Sequence, residues 1–295
     1  MLYFGLWLII TWLVPNLGHA SPEWPNEPAN ATNVIDCGFD TPLCAGQLLD
    51  PYNTVAFGTL STRTDATAPL SPSNVLRSTM FLPATTGGTE LHYDRAPVTE
   101  MFVGMWWRSN PTFSGNGVGA NKLFFLKGRV AQNGAMLWQK PVGSTLSRFF
   151  FITQLPYNGD QCYQPHPGDV DQCYPNGIDV PIVPGNWYRI EVYIKASTCA
   201  TCHDGILRWW ITPKGGSPSL AANFVNFAYG PDLYSWVWSE TWDGGGNAQG
   251  FTSNPEYYLD HLHISIPNCP SGCSVTPVDN PAGPPGAVVL SGTVQ

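Results

Sequence analysis

The stretch NWYRIEVYIK (186–195) decides the fold class, because its side chains alternate between two kinds. Ile190, Val192 and Ile194 are aliphatic, whereas the residues between them carry charges or a phenol. Successive side chains of a β-strand point to opposite faces, so this pattern predicts a strand with one buried and one exposed face. A second strand-like run, GILRWWITP (205–213), lies a short distance further along the chain.

More strand-like runs flank this pair on both sides. Breakers rich in Gly, Pro and Asn separate them, and apolar residues at helical spacing persist nowhere for three turns. Many short strands at fairly regular spacing predict an all-β fold, and we expect a two-sheet antiparallel jelly-roll sandwich. The clearest further runs are MFVGMWWRS (101–109), NKLFFLKG (121–128), AMLWQK (135–140), RFFFITQL (148–155), DLYSWVWSETW (232–242) and EYYLDHLHIS (256–265).

The chain divides into four predicted segments. Residues 1–20 hold an apolar run followed by small residues, which is typical of a secretory signal peptide cleaved after Ala20. The alternative is an uncleaved anchor, although the run is shorter than the ~20 apolar residues of a spanning helix. Residues 21–33 form a polar lead-in, 34–268 the jelly-roll domain and 269–295 a Pro/Gly-rich tail or linker. We expect a secreted protein, extracellular or periplasmic, with no membrane span in the mature chain.

Eight cysteines, an even number, agree with an oxidising compartment. They occur as close neighbours, and pairing of neighbours would pin four loops. The alternative for CATCH (199–203) is a metal or redox site, but a second ligand pair at zinc spacing is missing. The expected disulfides are Cys37–Cys44, Cys162–Cys173, Cys199–Cys202 and Cys269–Cys273.

The charge composition narrows the choice of partner. The net charge is −8 with 13 basic residues, and these form no basic run. Binding to nucleic acid normally requires a basic patch or stripe, so nucleic acid is not expected as a partner.

Two stretches carry a family resemblance: GNWYRIEVYIKAST…HDGILRWWITPKGG (185–216) and WDGGGN…EYYLDHLHIS (242–265). They resemble strands of concanavalin A-like jelly rolls, and the resemblance extends over about residues 34–268. The families most similar are polysaccharide lyases of the glucuronan lyase and heparin lyase I type, and laminin-G-like modules. The catalytic strand motifs of jelly-roll alginate lyases (Arg-Ser-Glu-Leu-Arg, Gln-Ile-His and Tyr-Phe-Lys-Ala-Gly) are absent. The resemblance therefore implies a fold and a polysaccharide partner without implying a catalytic set.

Two functions follow from this resemblance. The first is a secreted polysaccharide-binding protein, with or without cleavage of the polymer by β-elimination. The alternative is a non-catalytic, laminin-G-like structural or adhesive module. An enzyme should gather cations, Tyr or His side chains and sugar-binding aromatics in one cleft, whereas a module should not, so whether the chain is an enzyme stays open here.

An aromatic row in YSWVWSETWDGGG (234–246) is the candidate carbohydrate-binding surface. Alternation would place its aromatic rings and one carboxylate on a single face, where rings stack on sugars and the carboxylate binds hydroxyls. In the alternative, the indoles face the core, and a β-bulge could also split the row between faces. The row comprises Tyr234, Trp236, Trp238, Glu240 and Trp242.

Elimination from a uronate needs a group that neutralises the carboxylate and a base that takes the C5 proton. The catalytic candidates are Arg108, Tyr193, Tyr234 and Glu240. Hydrolysis would instead need two carboxylates across the bond, such as Glu240 with Asp243 or Glu191. Further residues of suitable type for elimination are His92, Lys127, Arg148, His166 and Arg189.

Asp260 is the candidate metal ligand, because alternation puts it beside Tyr258, Leu262 and Ile264 on an apolar face. A buried carboxylate requires a partner. One alternative is Ca²⁺, held as in similar jelly rolls between the first and last strands with oxygen ligands from Asp40 or Asp36. The other is a hydrogen bond to a backbone turn.

Overall fold

The structure is a computed structural model that describes residues 23–49, 58–71, 74–81, 89–112, 121–128, 135–142, 146–153, 180–200, 202–227, 229–239 and 254–267. The helical element in these residues is one short 3-10 turn, Cys44–Gly46. Their strands are β1 (Thr32–Cys37), β2 (Gly58–Arg63), β3 (Val75–Met80), β4 (Glu90–Val98), β5 (Glu100–Ser109), β6 (Asn121–Lys127), β7 (Ala135–Val142), β8 (Leu146–Thr153), β9 (Val180–Ile182), β10 (Tyr188–Lys195), β11 (Gly205–Pro213), β12 (Ser219–Phe227), β13 (Leu233–Ser239) and β14 (Glu256–Ile266).

The strands form two antiparallel sheets, which confirms the predicted fold class. The eight-stranded sheet has the order β12-β11-β10-β5-β14-β3-β2, and β1 pairs with β14 beside β3. The six-stranded sheet has the order β4-β13-β6-β7-β8-β9. Strands distant in the sequence therefore lie side by side, as the crossing connections of a jelly roll require.

One continuous core lies between the two sheets. The aliphatic face of 186–195 contributes to it as predicted, since Ile190, Val192 and Ile194 are all 0% exposed. The six-stranded sheet contributes Phe124 and Trp236 among others. Each sheet therefore keeps a second face that is turned away from this core, and polar groups gather on both of these outer faces.

Residues 23–28, here called the N-terminal strap, lie across the outer face of the eight-stranded sheet. The Trp24 indole is 2% exposed and stacks on His263 at 5.6 Å between ring centroids. Asn26 donates from its backbone N and its Nδ2 to the carboxylate of Glu191, at 3.1 and 2.9 Å. Glu27 accepts from Nε2 of His263 at 2.9 Å. The strap thereby supplies partners for the buried polar side chains of Glu191 and His263, as burial of such groups requires.

A glycine makes room for the strap. A Cβ added at Gly104 would overlap the indole ring of Trp24. We therefore expect Gly104→Ala to lower the free energy of unfolding by ~1–3 kcal/mol, the usual cost of an overpacked contact. Denaturant unfolding measures this loss.

The control for this prediction is the same substitution in a Trp24→Ala background. Without the indole, the added methyl meets no clash, so Gly104→Ala should then cost close to nothing. A double-mutant cycle isolates that coupling. An equal loss in both backgrounds would show that the Trp24 contact is not the reason for the glycine.

The prediction that Asp260 shares a face with Tyr258, Leu262 and Ile264 is wrong in part, because β14 contains a β-bulge. The pairing with β5 shifts between Asp260 and Leu262, and the extra residue, His261, has a φ of 60°. Past the bulge, Leu262 and Ile264 point into the core, whereas Asp260 shares the outer face with Tyr258. A bulge inserts one residue and so reverses the alternation beyond it.

Two of the four predicted disulfides, Cys37–Cys44 and Cys199–Cys202, are confirmed. The pairs Cys162–Cys173 and Cys269–Cys273 lie outside the described residues, as do the predicted signal peptide and the tail. Within the described ranges, no helix has the length and apolarity needed to cross a membrane.

Candidate active site

Three neighbouring strands of the six-stranded sheet bring acidic, basic and hydroxyl side chains together on its outer face. In the backbone register, Ser235 of β13 lies between Asp94 of β4 and Lys127 of β6. His92 is two residues from Asp94 and therefore on the same face of β4. We call this set the polar cluster. Its members are Glu90, His92, Asp94, Lys127, Tyr234 and Ser235.

His92 lies at the centre of the polar cluster between two carboxylates. Its Nε2 is 3.1 Å from Oε2 of Glu90, and its Nδ1 is 3.8 Å from Oδ2 of Asp94. Burial opposes a charge on the imidazole, but the carboxylates of Asp94 and Glu90 outweigh it and raise the pKa of His92. Both ring nitrogens of His92 therefore have a carboxylate nearby, Nε2 at hydrogen-bond distance and Nδ1 somewhat further away.

Asp94 is itself fixed in place by two neighbours. Ser235 donates a short hydrogen bond from its hydroxyl to Oδ1 of Asp94. Burial raises the pKa of this carboxyl, yet the interactions with His92 and Ser235 outweigh burial and leave it below the usual value. Asp94 is therefore ionised near neutral pH, and it favours the charged form of His92.

Lys127 is half-buried beside Phe125, with Nζ 5.7 Å from the centre of that ring. Burial lowers the pKa of its ammonium, although the charges of Glu90 and Asp94 act in the opposite direction. A lysine whose pKa moves down toward neutral can act as a base, because more of it is unprotonated at working pH.

Tyr234 lies next to Ser235, where the regular pairing of β13 with β4 is broken. The pairing of β13 with β4 shifts between Leu233 and Ser235, and Leu233 and Trp236 both point into the core. Tyr234 and Ser235 therefore lie between two core residues, and Tyr234 is half-buried. Burial raises the pKa of its phenol, and the charges of Asp94 and Asp232 add to this. Tyr234 is thus a proton donor in the resting site.

The predicted aromatic row is not exposed at Trp236. Trp236 is 0% exposed in the core, so its indole cannot stack on a sugar, and the prediction for this residue is wrong. The physical reason is the register of β13, which places Trp236 opposite the core residues Tyr93 and Leu126. An indole that faces the core was one of the alternatives that the sequence left open. The side chain of Trp238 and residues Glu240 and Trp242 lie outside the description, and their sugar-binding role stays a prediction.

Two catalytic candidates lie on the opposite sheet. Arg108, on β5, donates to Asp65 at 2.5 Å and lies over the rings of Trp187 and Tyr258. Tyr193, on β10, donates to Glu100 at 2.8 Å, and burial together with that carboxylate raises its pKa. The structure therefore separates both residues from Tyr234, the third described candidate.

Asp260 has the backbone partner that one alternative required. Its carboxylate accepts hydrogen bonds from the backbone N of Leu70 at 2.6 Å and of Ser71 at 3.0 Å. Asp40 accepts instead from Nδ2 of Asn74, and Asp36 lies against His261 and His263. Among the residues described, no group of three or more His, Cys, Asp or Glu side chains could hold a metal ion. The calcium site stays a prediction.

Sequence reasoning identified His92, Lys127 and Tyr234 as suitable types but missed Glu90, Asp94 and Ser235. The signal for the first two was present in ELHYDRAPV (90–98), where polar and apolar residues alternate as in a strand. The role of Ser235 could not be found in the same way, because it depends on pairing between β4 and β13.

No family model and no curated protein matches this sequence. Solved structures do match it. An alginate lyase from Aplysia kurodai is 14% identical, with a TM-score of 0.52 over 80% of this chain and 100% of that one. An endo-β-1,4-glucuronan lyase from the fungus Trichoderma reesei is 14% identical, with a TM-score of 0.51 over 80% and 96%. At this identity the likeness concerns the fold, and it confirms the resemblance to jelly-roll polysaccharide lyases.

Proposed function

We propose that this protein is a secreted polysaccharide lyase that cleaves a uronate polymer by β-elimination on the outer face of the six-stranded sheet. The observation that supports it is the convergence of a lysine, a histidine and a tyrosine with altered pKa values in one polar cluster. Such convergence distinguishes an enzyme from an adhesive module, and altered pKa values concentrate at functional sites.

The directions of the pKa shifts suggest a role for each side chain. Lys127 is the base, because burial lowers the pKa of its ammonium. Tyr234 is the acid, because burial keeps its phenol protonated. His92 carries a positive charge that the carboxylates of Asp94 and Glu90 stabilise, and this charge faces the uronate carboxylate.

In the proposed step, the unprotonated Nζ of Lys127 takes the proton from C5 of the uronate. The electron pair of that C–H bond forms the C4–C5 double bond, and the bond from C4 to the glycosidic oxygen breaks. The leaving oxygen takes the proton of the Tyr234 hydroxyl. Transfer of the Lys127 proton to the phenolate through solvent then restores both residues.

Hydrolysis is a poorer fit to the polar cluster. A glycosidase needs two carboxylates with the sugar and, in inverting enzymes, a water molecule between them. The two carboxylates available, Glu90 and Asp94, have the imidazole of His92 between them, in contact with Glu90 at 3.1 Å. The space that a glycosidic bond would require is therefore filled.

The solved structures that share this fold suggest the substrate class. One acts on alginate and the other on glucuronan, and both polymers consist of uronate units. Secretion agrees with the apolar N-terminal run and with disulfides at Cys37–Cys44 and Cys199–Cys202, which form in oxidising compartments.

The test is incubation of the purified protein with alginate, glucuronan and a neutral β-glucan. β-Elimination creates a double bond conjugated to a carboxylate, so products from the uronate polymers should absorb in the ultraviolet, and the neutral glucan should give none. Binding to a uronate polymer without an unsaturated product would instead favour the laminin-G-like module. New reducing ends without ultraviolet absorbance would indicate hydrolysis.

A further inference from the structure

A second charged surface lies on the outer face of the eight-stranded sheet, on the opposite side of the sandwich from the polar cluster. Four basic side chains gather around the rings of Tyr258 and Trp187. We call them the arginine face. Its members are Arg63, Arg77, Arg108 and Lys214. These are four of the 13 basic residues in a chain whose net charge is −8, so their grouping is not expected from composition.

The arginine face follows a single line across the sheet. Arg77 of β3 pairs with Tyr258 of β14, which pairs with Arg108 of β5. The Arg108 guanidinium lies 4.9 Å from the Trp187 ring, and the backbone N of Lys214 donates to the backbone O of Trp187. The line therefore crosses four strand spacings, about 19 Å. A surface of this length suits an extended polymer better than a single small anion.

Two of the four cations are fixed by carboxylates. Arg77 binds Glu256 through Nε at 3.1 Å and through Nη2, and Arg108 donates to Asp65 at 2.5 Å and to Thr67 at 3.2 Å. The Arg108 guanidinium also lies 4.5 Å from the centre of the Tyr258 ring. These contacts hold the guanidinium groups in place, so that little side-chain freedom is lost when a ligand binds.

The other two cations keep donors for a ligand. Arg63 is exposed, lies 5.4 Å from the Tyr258 ring centre and makes long hydrogen bonds, at 3.4 Å to the Tyr258 hydroxyl and 3.5 Å to the carbonyl of Thr64. Lys214 is exposed and donates to the carbonyl of Thr67 at 2.5 Å. In the described part of the chain, neither has a carboxylate within ion-pair distance. Four cations against the carboxylates of Asp65 and Glu256, and of Asp260 on the same outer face, leave an excess of at least one positive charge.

We infer that the arginine face is a second polysaccharide site, which binds a uronate segment without cleaving it. Guanidinium groups bind carboxylates through paired hydrogen bonds, and an ammonium adds a point charge. The described residues of this face supply cations that can bind a uronate carboxylate. They do not include the Lys127–His92–Tyr234 set that the proposed cleavage requires. The choice of uronate rests on the proposed function, whereas the affinity for an extended anion rests on the arginine face itself.

The experiment uses the full chain with Lys127→Met, so that the polymer is not consumed, and oligoglucuronate as the probe in titration calorimetry. In this background, Arg63→Ala with Lys214→Ala should weaken binding at the second site about tenfold at low salt, as expected for two exposed charge pairs. The fitted stoichiometry should fall from two oligomers to one. The difference should shrink as salt is added, because exposed charges are screened.

The matched control is Arg208→Ala with Lys195→Ala, which removes two cations from the same sheet outside the arginine face. Arg208 contacts Asn223, and Lys195 lies 4.0 Å from Glu100. Equal binding by the two double variants would overturn the inference. Weaker binding by the Arg63/Lys214 variant alone supports the second site. Absence of an unsaturated product from the wild-type chain would contradict the proposed function and leave this result unaffected.

Discussion

Lys127→Met is expected to lower the rate of uronate elimination by about a hundredfold or more, the usual contribution of a general base. The substitution removes the amine that takes the C5 proton while keeping an unbranched, half-buried side chain of similar length. The rate is measured by ultraviolet absorbance of the product, and the thermal melt should stay close to that of the wild type. Lys195→Met, on the other sheet, is the matched control and should keep full activity.

Lys127→Arg separates the two roles that a lysine could have in the polar cluster. Arginine keeps the positive charge but does not give up a proton at any working pH. If Lys127 is the base, the arginine variant should be about as inactive as the methionine variant. Substantial activity with arginine would show that the residue supplies charge alone.

The pH profile gives a further check on the role of Lys127. Because burial lowers the pKa of its ammonium, the amine loses its proton at a lower pH than an ordinary lysine does. Activity should therefore follow a bell-shaped pH profile, in which the rising limb reports the proton lost by Lys127 and the falling limb the charge lost by His92. A profile without a rising limb would contradict the assignment.

Trp236→Ala is expected to lower the free energy of unfolding by ~3–5 kcal/mol, as for a large aromatic side chain removed from a core. Trp236 is 0% exposed and packs in the core between the two sheets. Denaturant unfolding measures the loss. Because the indole faces the core, the substitution should lower stability and should have little direct effect on sugar binding.

Tyr234→Phe is the matched control for Trp236→Ala. It changes a residue of the same strand, β13, but removes only a hydroxyl from a half-buried ring outside the core, so its effect on stability should stay below ~1 kcal/mol. It should, however, slow elimination, because the acid is lost. A loss of less than ~1 kcal/mol for Trp236→Ala would mean that the indole is not a core residue.

The sequence was sufficient to predict the fold class, since the alternation in 186–195 matches the burial of Ile190, Val192 and Ile194. It was also sufficient for two disulfides, because neighbouring cysteines close short loops. These features depend on residues that are close in the chain, where spacing alone carries the information.

The site was harder to predict because it depends on irregular strand pairing. Leu233 and Trp236, three residues apart on β13, both face the core where the pairing with β4 shifts, and the bulge at His261 separates Asp260 from Leu262. A bulge changes the face of every later residue in its strand, but no local pattern in this sequence marks it. The strap was missed for a related reason, since its partners Glu191 and His263 are far away in the sequence.

The position of β14 has a consequence for how the chain reaches its native state. This strand pairs with β1, β3 and β5 at once, and β1 and the strap therefore depend on residues more than two hundred positions later. A chain made from its N-terminus must keep these early segments unpaired until β14 emerges. Contacts of such long range slow folding and leave exposed strand edges in the meantime. A chain that terminates before residue 256 should therefore fail to fold and be captured by chaperones or degraded, however complete its earlier strands are.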